Sequence, residues 1–387
     1  MKGAIGEMWF KIINKIIFKL KLNRAFLYIF YFLKKVFSYS TELPTPDDAE
    51  KTLDNFRQNP RNSCFRNCKV SNSSAAYDLD IIVPCYNVEE YLKQCLDSLL
   101  LQNTQYKYRI ICINDGSSDH TGAILDKYSS ENNNIAVIHQ SNKGLSGARN
   151  AGIDLINSRY VMFVDSDDYI SSYTVESMLN AAYKNDAAIV QGGYARVTED
   201  GRIIKRVRQK EGLLNIKELT GFPCMKIIKS DYIKSIYFPL DYYYEDSVMS
   251  MIVFALIEKH NDKVYGVDKI IYYYRYNSKG IYQTAKISPK SIDTLYITDQ
   301  LHKDRNIYGL SNSRSYYEFI LYTIRLNYTR IRTLPENINK AVFVMFSEFL
   351  NKNFQNYLTE NVKNTTLEKS FIEQNYHLYI SACCFEN

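Results

Sequence analysis

The chain has 387 residues, of which 46% are hydrophobic and 23% charged, proportions that exclude a mainly disordered protein. Its basic charge is local: residues 1–40 carry eight Lys or Arg against Glu7, a net charge of +7 that exceeds the +6 of the whole chain. A nucleic-acid-binding domain would spread its basic charge over the folded surface, so the sequence disfavours that class.

The N-terminal segment, residues 1–40, has the pattern of a basic amphipathic helix. Lys11, Lys15 and Lys19 lie one helical turn apart, with isoleucines and leucines between them. We predict that this helix lies on an anionic membrane surface, with a helix that packs on the protein's own body as the alternative. A spanning helix needs about 20 mostly apolar residues, whereas the longest uncharged run, Ala25 to Leu33, has nine. The predicted location is therefore peripheral, at the cytoplasmic face of the cell membrane.

The eight cysteines show no regular spacing of a disulfide framework, which favours reduced thiols in a cytoplasmic protein. Cys64 and Cys68 lack a second pair or a nearby His, so a zinc site is disfavoured. Residues 41–78 contain Pro44, Pro46 and Pro60 and are predicted to be a linker with one short helix.

From residue 79, short apolar strands alternate with helical patterns. The predicted strands are LDIIVPCYN, YRIICIND, IAVIHQ and YVMFVDSDD, and the helices between them begin at NVEEY, SSDHT and GLSGA. Asn87 is the expected N-cap of the first helix, with Glu90 three residues later. This alternation predicts an α/β wound sheet with parallel strands and helices on both faces.

The later segments are mixed in character. A strand with a hairpin at Asp200-Gly201 comes first, and then an apolar helix that opens on acids in YYYEDSVMSMIVFALIEK. KVYGVDKIIYYYRYN is predicted to form further strands. We expect one domain over 79–285, with halves 79–190 and 191–285, and a helical C-terminal region over 286–387.

Polar residues follow each of the first four strands, where wound sheets bind their ligands. They are Pro84, Tyr86 and Asn87; Asn114 to Ser117; Asn142, Lys143, Gly144 and Arg149; and Asp165 to Asp168, Ser166 included. Each group alone is weak evidence for a ligand site, since a sequence such as NDGS most often forms a turn. Their joint placement at the ends of four strands nevertheless indicates a ligand-binding site. No G-x-G-x-x-G follows the first strand and no P-loop motif exists, which disfavours dinucleotide binding and P-loop chemistry.

Asp165 and Asp167 form the candidate metal site. Two residues apart on an extended strand, they would lie on the same side about 6.5 to 7 Å from each other. Such carboxylates suit Mg²⁺ or Mn²⁺, with phosphate oxygens completing the coordination. Arg149 could supply a second positive charge at a diphosphate. Asp168 is expected to be only a loop residue.

The segments IIVPCYNVEEYLKQCLDSLLLQ, ICINDGSSD, NKGLSGARNAG and YVMFVDSDDYI resemble the family 2 glycosyltransferases, inverting nucleotide-sugar enzymes with a GT-A type fold of the bacterial surface-polysaccharide kind. The resemblance is specific over 79–190 and looser to about 285. It implies that Pro84, Tyr86 and Asp115 hold the base and ribose, with Asn87 beside them, and that the Asp-x-Asp motif holds metal and diphosphate. It also implies that 79–190 binds the nucleotide sugar and 191–285 the acceptor.

The resemblance further implicates Asp246 as catalytic base, with Glu245 as its supporting group. An inverting transfer needs one carboxylate to take the acceptor hydroxyl's proton, and an ordinary Asp is ionised at neutral pH. The alternative is that both acids only favour the positive end of the following helix. Lys143 adds a positive charge near the expected position of the diphosphate. Arg275 and Ser278 lie in YYYRYNSKGI, which resembles a loop towards the end of the family's domain that approaches the nucleotide.

These observations predict a metal-dependent glycosyltransferase that uses a sugar nucleotide, UDP-linked by preference. Its acceptor would be a growing surface glycan or a lipid-linked oligosaccharide. One alternative is a catalytically silent membrane scaffold that keeps the nucleotide site. The other is a sugar nucleotidyltransferase, although PCYNVEEY lacks the Gly-rich basic loop that such an enzyme needs. Oligomeric state, sugar and linkage are left open by the sequence.

Overall fold

The computed structural model describes residues 42–67, 75–277, 288–359 and 365–385. The predicted membrane helix of residues 1–40 and the candidate Ser278 lie outside the described residues. The described chain divides into two compact units. One contains residues 60–67, 75–277 and 296–311, and the other contains residues 42–59, 288–295, 312–359 and 365–385.

The first unit is built on a mixed sheet. Its strands are β1 Tyr77–Cys85, β2 Tyr108–Asp115, β3 Ile135–Gln140, β4 Ser158–Phe163, β5 Tyr169–Ile170, β6 Ala187–Val197, β7 Ile203–Val207, β8 Gly212–Leu213, β9 Lys226–Lys229 and β10 Lys263–Arg275. In the described residues the order is β3-β2-β1-β4-β9-β6-β10-β5, with β7 beside β6 and β8 beside β10. The strands from β1 to β4 are parallel to one another, and β9 runs antiparallel to both β4 and β6.

The helices of the first unit connect these strands. They are α2 Glu89–Leu100, α3 Thr121–Glu131, α4 Gly144–Asp154, α5 Thr174–Asn185, α6 Ser230–Lys234 and α7 Phe254–Lys259, which a π-helical turn at Met249–Val253 precedes. β1 is buried from Leu79 to Cys85 because it lies inside the sheet, which explains why this stretch is almost entirely apolar. The wound α/β fold and the hairpin between β6 and β7 are thus confirmed, and Gly201 has the positive φ of +84° that such turns favour.

Two local predictions are wrong. Helix α2 begins after Val88, and Asn87 has a φ of +46° outside the helix. The side-chain oxygen of Asn87 accepts a hydrogen bond from the Ser118 amide at 2.8 Å instead of capping α2. The second error concerns β4, which ends at Phe163, so that Asp165 to Asp168 form a turn and not an extended strand end.

The second unit is helical. Its elements are α1 Pro46–Phe56, α9 Arg314–Ile331, α10 Glu336–Thr359, α11 Thr366–Ile372 and α12 Tyr376–Phe385, and α8 Asp293–Ile307 begins in it. Helix α1 is the short helix predicted within 41–78. Ala49 and Leu53 are buried in its contact with α10, and Arg57 pairs with the Asp293 carboxylate at 3.1 Å. Residues 46–57 therefore belong to a folded unit and not to a free linker.

Two chain-wide features concern the cysteines and the membrane. No disulfide joins the cysteines that the structure describes, and Cys64, Cys85, Cys95, Cys112 and Cys224 are buried. Among the described residues, none of the helices is both long enough and apolar enough to span a membrane.

Candidate functional site

The loops after β1, β2 and β3 are joined by hydrogen bonds at the carboxyl edge of the sheet. The Asn87 amide donates to the Ser117 hydroxyl at 3.1 Å, and the Lys143 amide donates to the Asp115 carboxylate at 2.8 Å. Gln140 donates its side-chain amide to the same Asp115 oxygen at 2.6 Å. Asp115 is buried, whereas Tyr86 is 53% exposed beside the site. The structure therefore brings these predicted residues together at one edge.

Gly116 allows the second and third loops to approach each other. Its φ is +73°, and a Cβ built there would lie 2.8 Å from the Asn142 backbone nitrogen. Any side chain would be strained by the backbone conformation and would also collide with the neighbouring loop. The glycine of NDGS is thus required by the fold of the site.

The acidic turn after β4, residues 165–168, holds its three carboxylates in different environments. Asp165 accepts from Arg149 at 3.2 Å and from the Cys224 thiol at 3.4 Å. Asp167 accepts from the Asn277 side-chain amide at 3.0 Å. Burial, together with the neighbouring Asp165 charge, raises the pKa of Asp167 above its usual value.

Asp168 is an organising residue and not the simple loop residue that the sequence suggests. It is 1% exposed and accepts from the Tyr272 hydroxyl and from the Arg275 amide, each at 2.7 Å. Burial, followed by the charges of Asp167 and Asp165, raises the pKa of Asp168 well above its usual value. The turn is thereby fastened to the end of β10.

Arg275, predicted near the nucleotide, is buried and holds the acidic turn. Its Nε donates to the Asp167 carbonyl at 2.8 Å, and its guanidinium lies over the rings of Tyr91 and Tyr169 at 5.1 and 5.5 Å. Its position next to Asp167 and Asp168 supports a role in shaping the turn.

Arg149 joins the acidic turn to the predicted catalytic pair. Its NH1 donates to Glu245 at 2.6 Å and its NH2 to Asp165 at 3.2 Å, and its side chain is 3% exposed. Both carboxylates are thus held by one buried guanidinium, whose planar fork suits such a bridge. Residues far apart in the sequence, at positions 149, 165 and 245, meet in one site.

Glu245 and Asp246 lie in the turn that opens the helical segment before α7. The Asp246 carbonyl accepts the Met249 amide at 2.9 Å, at the start of the π-helical turn, and the Asp246 side chain is half-buried. The Glu245 carboxylate beside it is bound to Arg149. π-Helical turns occur often at functional sites.

Lys226 is a buried residue of the site region that sequence reasoning missed. Its ammonium donates to the Thr220 carbonyl at 2.9 Å, to the Cys224 carbonyl at 3.3 Å and to the Phe222 carbonyl. Burial lowers the pKa of Lys226 to about 7, against the opposing charges of Cys224 and Asp246. Residues 220–224 are therefore folded around one cation. A lysine within the apolar run PCMKII was the available signal.

The donor set at the acidic turn fits a hard divalent cation. In the part of the chain that the structure describes, no three His, Cys, Asp or Glu side chains cluster as a complete metal cage. Asp165 and Asp167 offer two carboxylates on one turn, and Mg²⁺ is usually bound through one or two carboxylates together with phosphates and waters. The residues present therefore fit a cation that arrives with a diphosphate.

Comparison with known proteins agrees with this geometry. The model of the family described as glycosyl transferase family 2 matches residues 80–240. The chain is 44% identical over 124 residues to the uncharacterized glycosyltransferase EpsJ of Bacillus subtilis, which covers 32% of this chain and 36% of EpsJ. It is 32% identical over 162 residues to the poly(ribitol-phosphate) beta-glucosyltransferase of Bacillus spizizenii, which covers 40% of this chain and 26% of that protein. The chain thus spans about a third or less of either relative.

A solved structure shows the same fold. The crystal structure of S. aureus TarS 1–349 in complex with UDP-GlcNAc matches with a TM-score of 0.63 at 19% identity, covering 79% of this chain and 90% of that one. The wound mixed sheet with its helical C-terminal region accordingly has a GT-A type fold. The segment that carries Asp115, Arg149, Asp165 and Asp167, residues 80–240, belongs to glycosyl transferase family 2.

Proposed function

We propose that the chain is a metal-dependent, inverting glycosyltransferase that takes its sugar from a UDP-sugar. The acceptor would be a hydroxyl of a growing surface glycan or of a lipid-linked oligosaccharide, at the cytoplasmic face of the membrane. The observation that carries the proposal is the bridge through Arg149, since it sets the Asp-x-Asp carboxylate of Asp165 beside the Glu245-Asp246 pair. A relative that acts on poly(ribitol-phosphate) and a fold relative crystallised with UDP-GlcNAc support the donor and acceptor classes.

In the proposed reaction Asp246 removes the proton of the acceptor hydroxyl while its oxygen attacks the anomeric carbon. The bond from that carbon to the diphosphate breaks on the opposite face, and UDP leaves with the bonding electrons. A divalent cation on Asp165 and Asp167 would stabilise the charge that develops on the diphosphate. Asp115 would hold the ribose, and Tyr86, Asn87 and Pro84 the base.

In this proposal Arg149 and Glu245 are positioning residues and do not take part in the chemical step. Arg149 fixes the Asp165 carboxylate and neutralises part of the local negative charge, which lets several carboxylates share a small volume. Glu245 is engaged by the guanidinium at 2.6 Å, which suits the supporting role that the proposal gives it. In the turn before the helix, Glu245 thus has the supporting role and Asp246 the catalytic one.

Replacing Asp246 with Asn separates an enzyme from a silent scaffold. Loss of the general base is expected to lower turnover by roughly 10² to 10⁴-fold while UDP binding stays near that of the wild type. Turnover is measured as UDP release from UDP-GlcNAc and UDP-glucose with Mn²⁺ and a membrane lipid fraction that carries glycans. Glu131→Gln, an exposed carboxylate on α3, is the matched control. Unchanged turnover in Asp246→Asn would rule out this base, and absence of turnover in the wild type would favour the scaffold.

A further inference from the structure

The edge strand β7 and the residues around it carry an unusual concentration of positive charge. Five of the nine residues from 202 to 210 are basic and none is acidic: Arg202, Lys205, Arg206, Arg208 and Lys210. Arg202 pairs with Asp200 at 2.9 Å and Arg208 with Asp268 at 3.4 Å, both in exposed pairs. Within the described part of the chain, no carboxylate lies in ion-pair distance of Lys205, Arg206 or Lys210.

Two of the cations face each other across the hairpin. Arg196 on β6 is directly opposite Lys205 on β7, and both side chains are exposed. Like charges at directly opposite positions of an antiparallel pair destabilise the sheet. The repulsion between Arg196 and Lys205 therefore destabilises the free hairpin, and an anionic partner would reduce it.

The same strand exposes apolar side chains. Ile203 is 41% exposed and Ile204 is 58% exposed, although consecutive residues of a strand point to opposite faces. Charges on an edge strand commonly protect it from pairing with other strands. That protection explains the lysines and arginines, but it does not explain two neighbouring isoleucines that the rest of the described sheet leaves uncovered.

We infer that the surface formed by Arg196 and residues 202–210, the basic hairpin surface, docks on an anionic lipid membrane with the edge strand β7 leading, so that side chains from both faces of the strand reach the membrane. Cations interspersed with exposed apolar side chains match the headgroup and the outer acyl region of such a membrane. A soluble polyanion would engage the cations but would gain nothing from Ile203 and Ile204. The inference depends on the β6–β7 hairpin alone and holds whether or not the protein transfers a sugar.

The test measures co-sedimentation of the full chain with phosphatidylcholine vesicles that contain or lack phosphatidylglycerol. The variant Lys205→Thr/Arg206→Thr/Lys210→Thr is expected to partition onto the anionic vesicles roughly a hundredfold less than the wild type. The control Lys107→Thr/Lys127→Ala/Lys184→Ala removes the same charge from exposed positions elsewhere in the unit and should partition like the wild type. Circular dichroism and thermal unfolding verify that each variant is folded.

A second variant distinguishes lipid from soluble polyanion. Ile203→Thr/Ile204→Thr keeps every cation, so it should lose roughly tenfold in vesicle partition while it binds inorganic polyphosphate as the wild type does. The inference is overturned if the triple hairpin variant sediments like the wild type, or if the control triple loses as much. It is also overturned if the isoleucine variant keeps its full vesicle partition, because the surface would then serve a soluble polyanion.

Discussion

Arg149 is the residue on which the geometry of the candidate site depends most. Its guanidinium is buried and donates to both Asp165 and Glu245, so its removal would leave two partly buried carboxylates without their shared cation. Breaking a buried ion pair by removing one partner is strongly destabilising, because the remaining charge stays buried. An ion pair on the exposed surface contributes far less to the free energy of unfolding.

We therefore expect Arg149→Met to lower the free energy of unfolding by about 3–5 kcal/mol. Arg202→Met, whose partner Asp200 lies on the surface, should lower the free energy of unfolding far less. Urea denaturation of both variants measures the difference. The double variant Arg149→Met/Glu245→Gln should be less destabilised than the sum of the two single variants, since both remove one interaction. Additive effects would mean that the Arg149–Glu245 bond contributes nothing of its own.

Lys226 provides a pH-dependent test of the segment 220–224. Burial lowers its pKa from 10.5 to about 7 in the folded chain, whereas the unfolded chain keeps the ordinary value. Between these two values the unfolded state binds more protons, so this group makes the free energy of unfolding rise as the pH rises.

Lys226→Met removes that contribution. The wild type is expected to gain stability relative to Lys226→Met as the pH rises from about 7 towards about 10, as measured by chemical denaturation at both values. Lys107→Met, at an exposed position, is the control and should show no such trend. A stability difference between wild type and Lys226→Met that is constant with pH would contradict the lowered pKa.

At the scale of elements, the loops after the parallel strands were predictable because each follows a short apolar run with polar residues. The register confirms that β1 to β4 run parallel, so their carboxyl ends share one edge. The turn at 165–168 was not predictable in its geometry. Tyr272 and Arg275, which fasten Asp168, are 104 and 107 residues away in the sequence. A local pattern of acids cannot show which distant strand will bury one of them.

The role of Gly116 at the β2 loop can be tested against a glycine with nearly the same backbone conformation. Gly144 has a φ of +74° and open space where a Cβ would lie, whereas Gly116 has a φ of +73° and a backbone atom 2.8 Å from that position. Both Ala variants are strained by the left-handed conformation, at about 1–2 kcal/mol. Gly116→Ala should lose more stability than Gly144→Ala in thermal unfolding, and equal losses would show that the approach of Asn142 is not tight.

At the scale of the whole molecule, the sequence located the chemistry in one part of the chain. The motifs that indicated a nucleotide-sugar site all lie within the first compact unit, and the family match over 80–240 covers most of them. The second unit was predictable as helical but without a function. In its aromatic core Phe343 packs against Phe371, Tyr376 and Tyr379. This packing explains the aromatic residues of the second unit as structural and indicates no chemical function for them.

The sequence did not reveal the residues whose importance comes from being buried and hydrogen-bonded in the folded chain. Lys226 and Asp168 look ordinary in the sequence, and only the folded chain shows that each is almost fully enclosed and hydrogen-bonded. The prolines around residues 46–57 predict a linker, yet Ala49 and Leu53 are buried in the helical unit. Contacts between distant segments decide these cases, and no single-sequence pattern records them.

In the proposed function, the turn that follows β4 holds the diphosphate of a UDP-sugar through a divalent cation. The most direct measurement is calorimetric titration of UDP into the wild type and into Asp167→Ala, each with Mn²⁺ and with a chelator, with Glu131→Ala as control. We expect Mn²⁺ to strengthen UDP binding by the wild type and by the control. We expect Asp167→Ala to lose this gain, because the variant lacks one of the two carboxylates that would bind the cation. Undiminished Mn²⁺-dependent binding of UDP by Asp167→Ala would contradict this proposal.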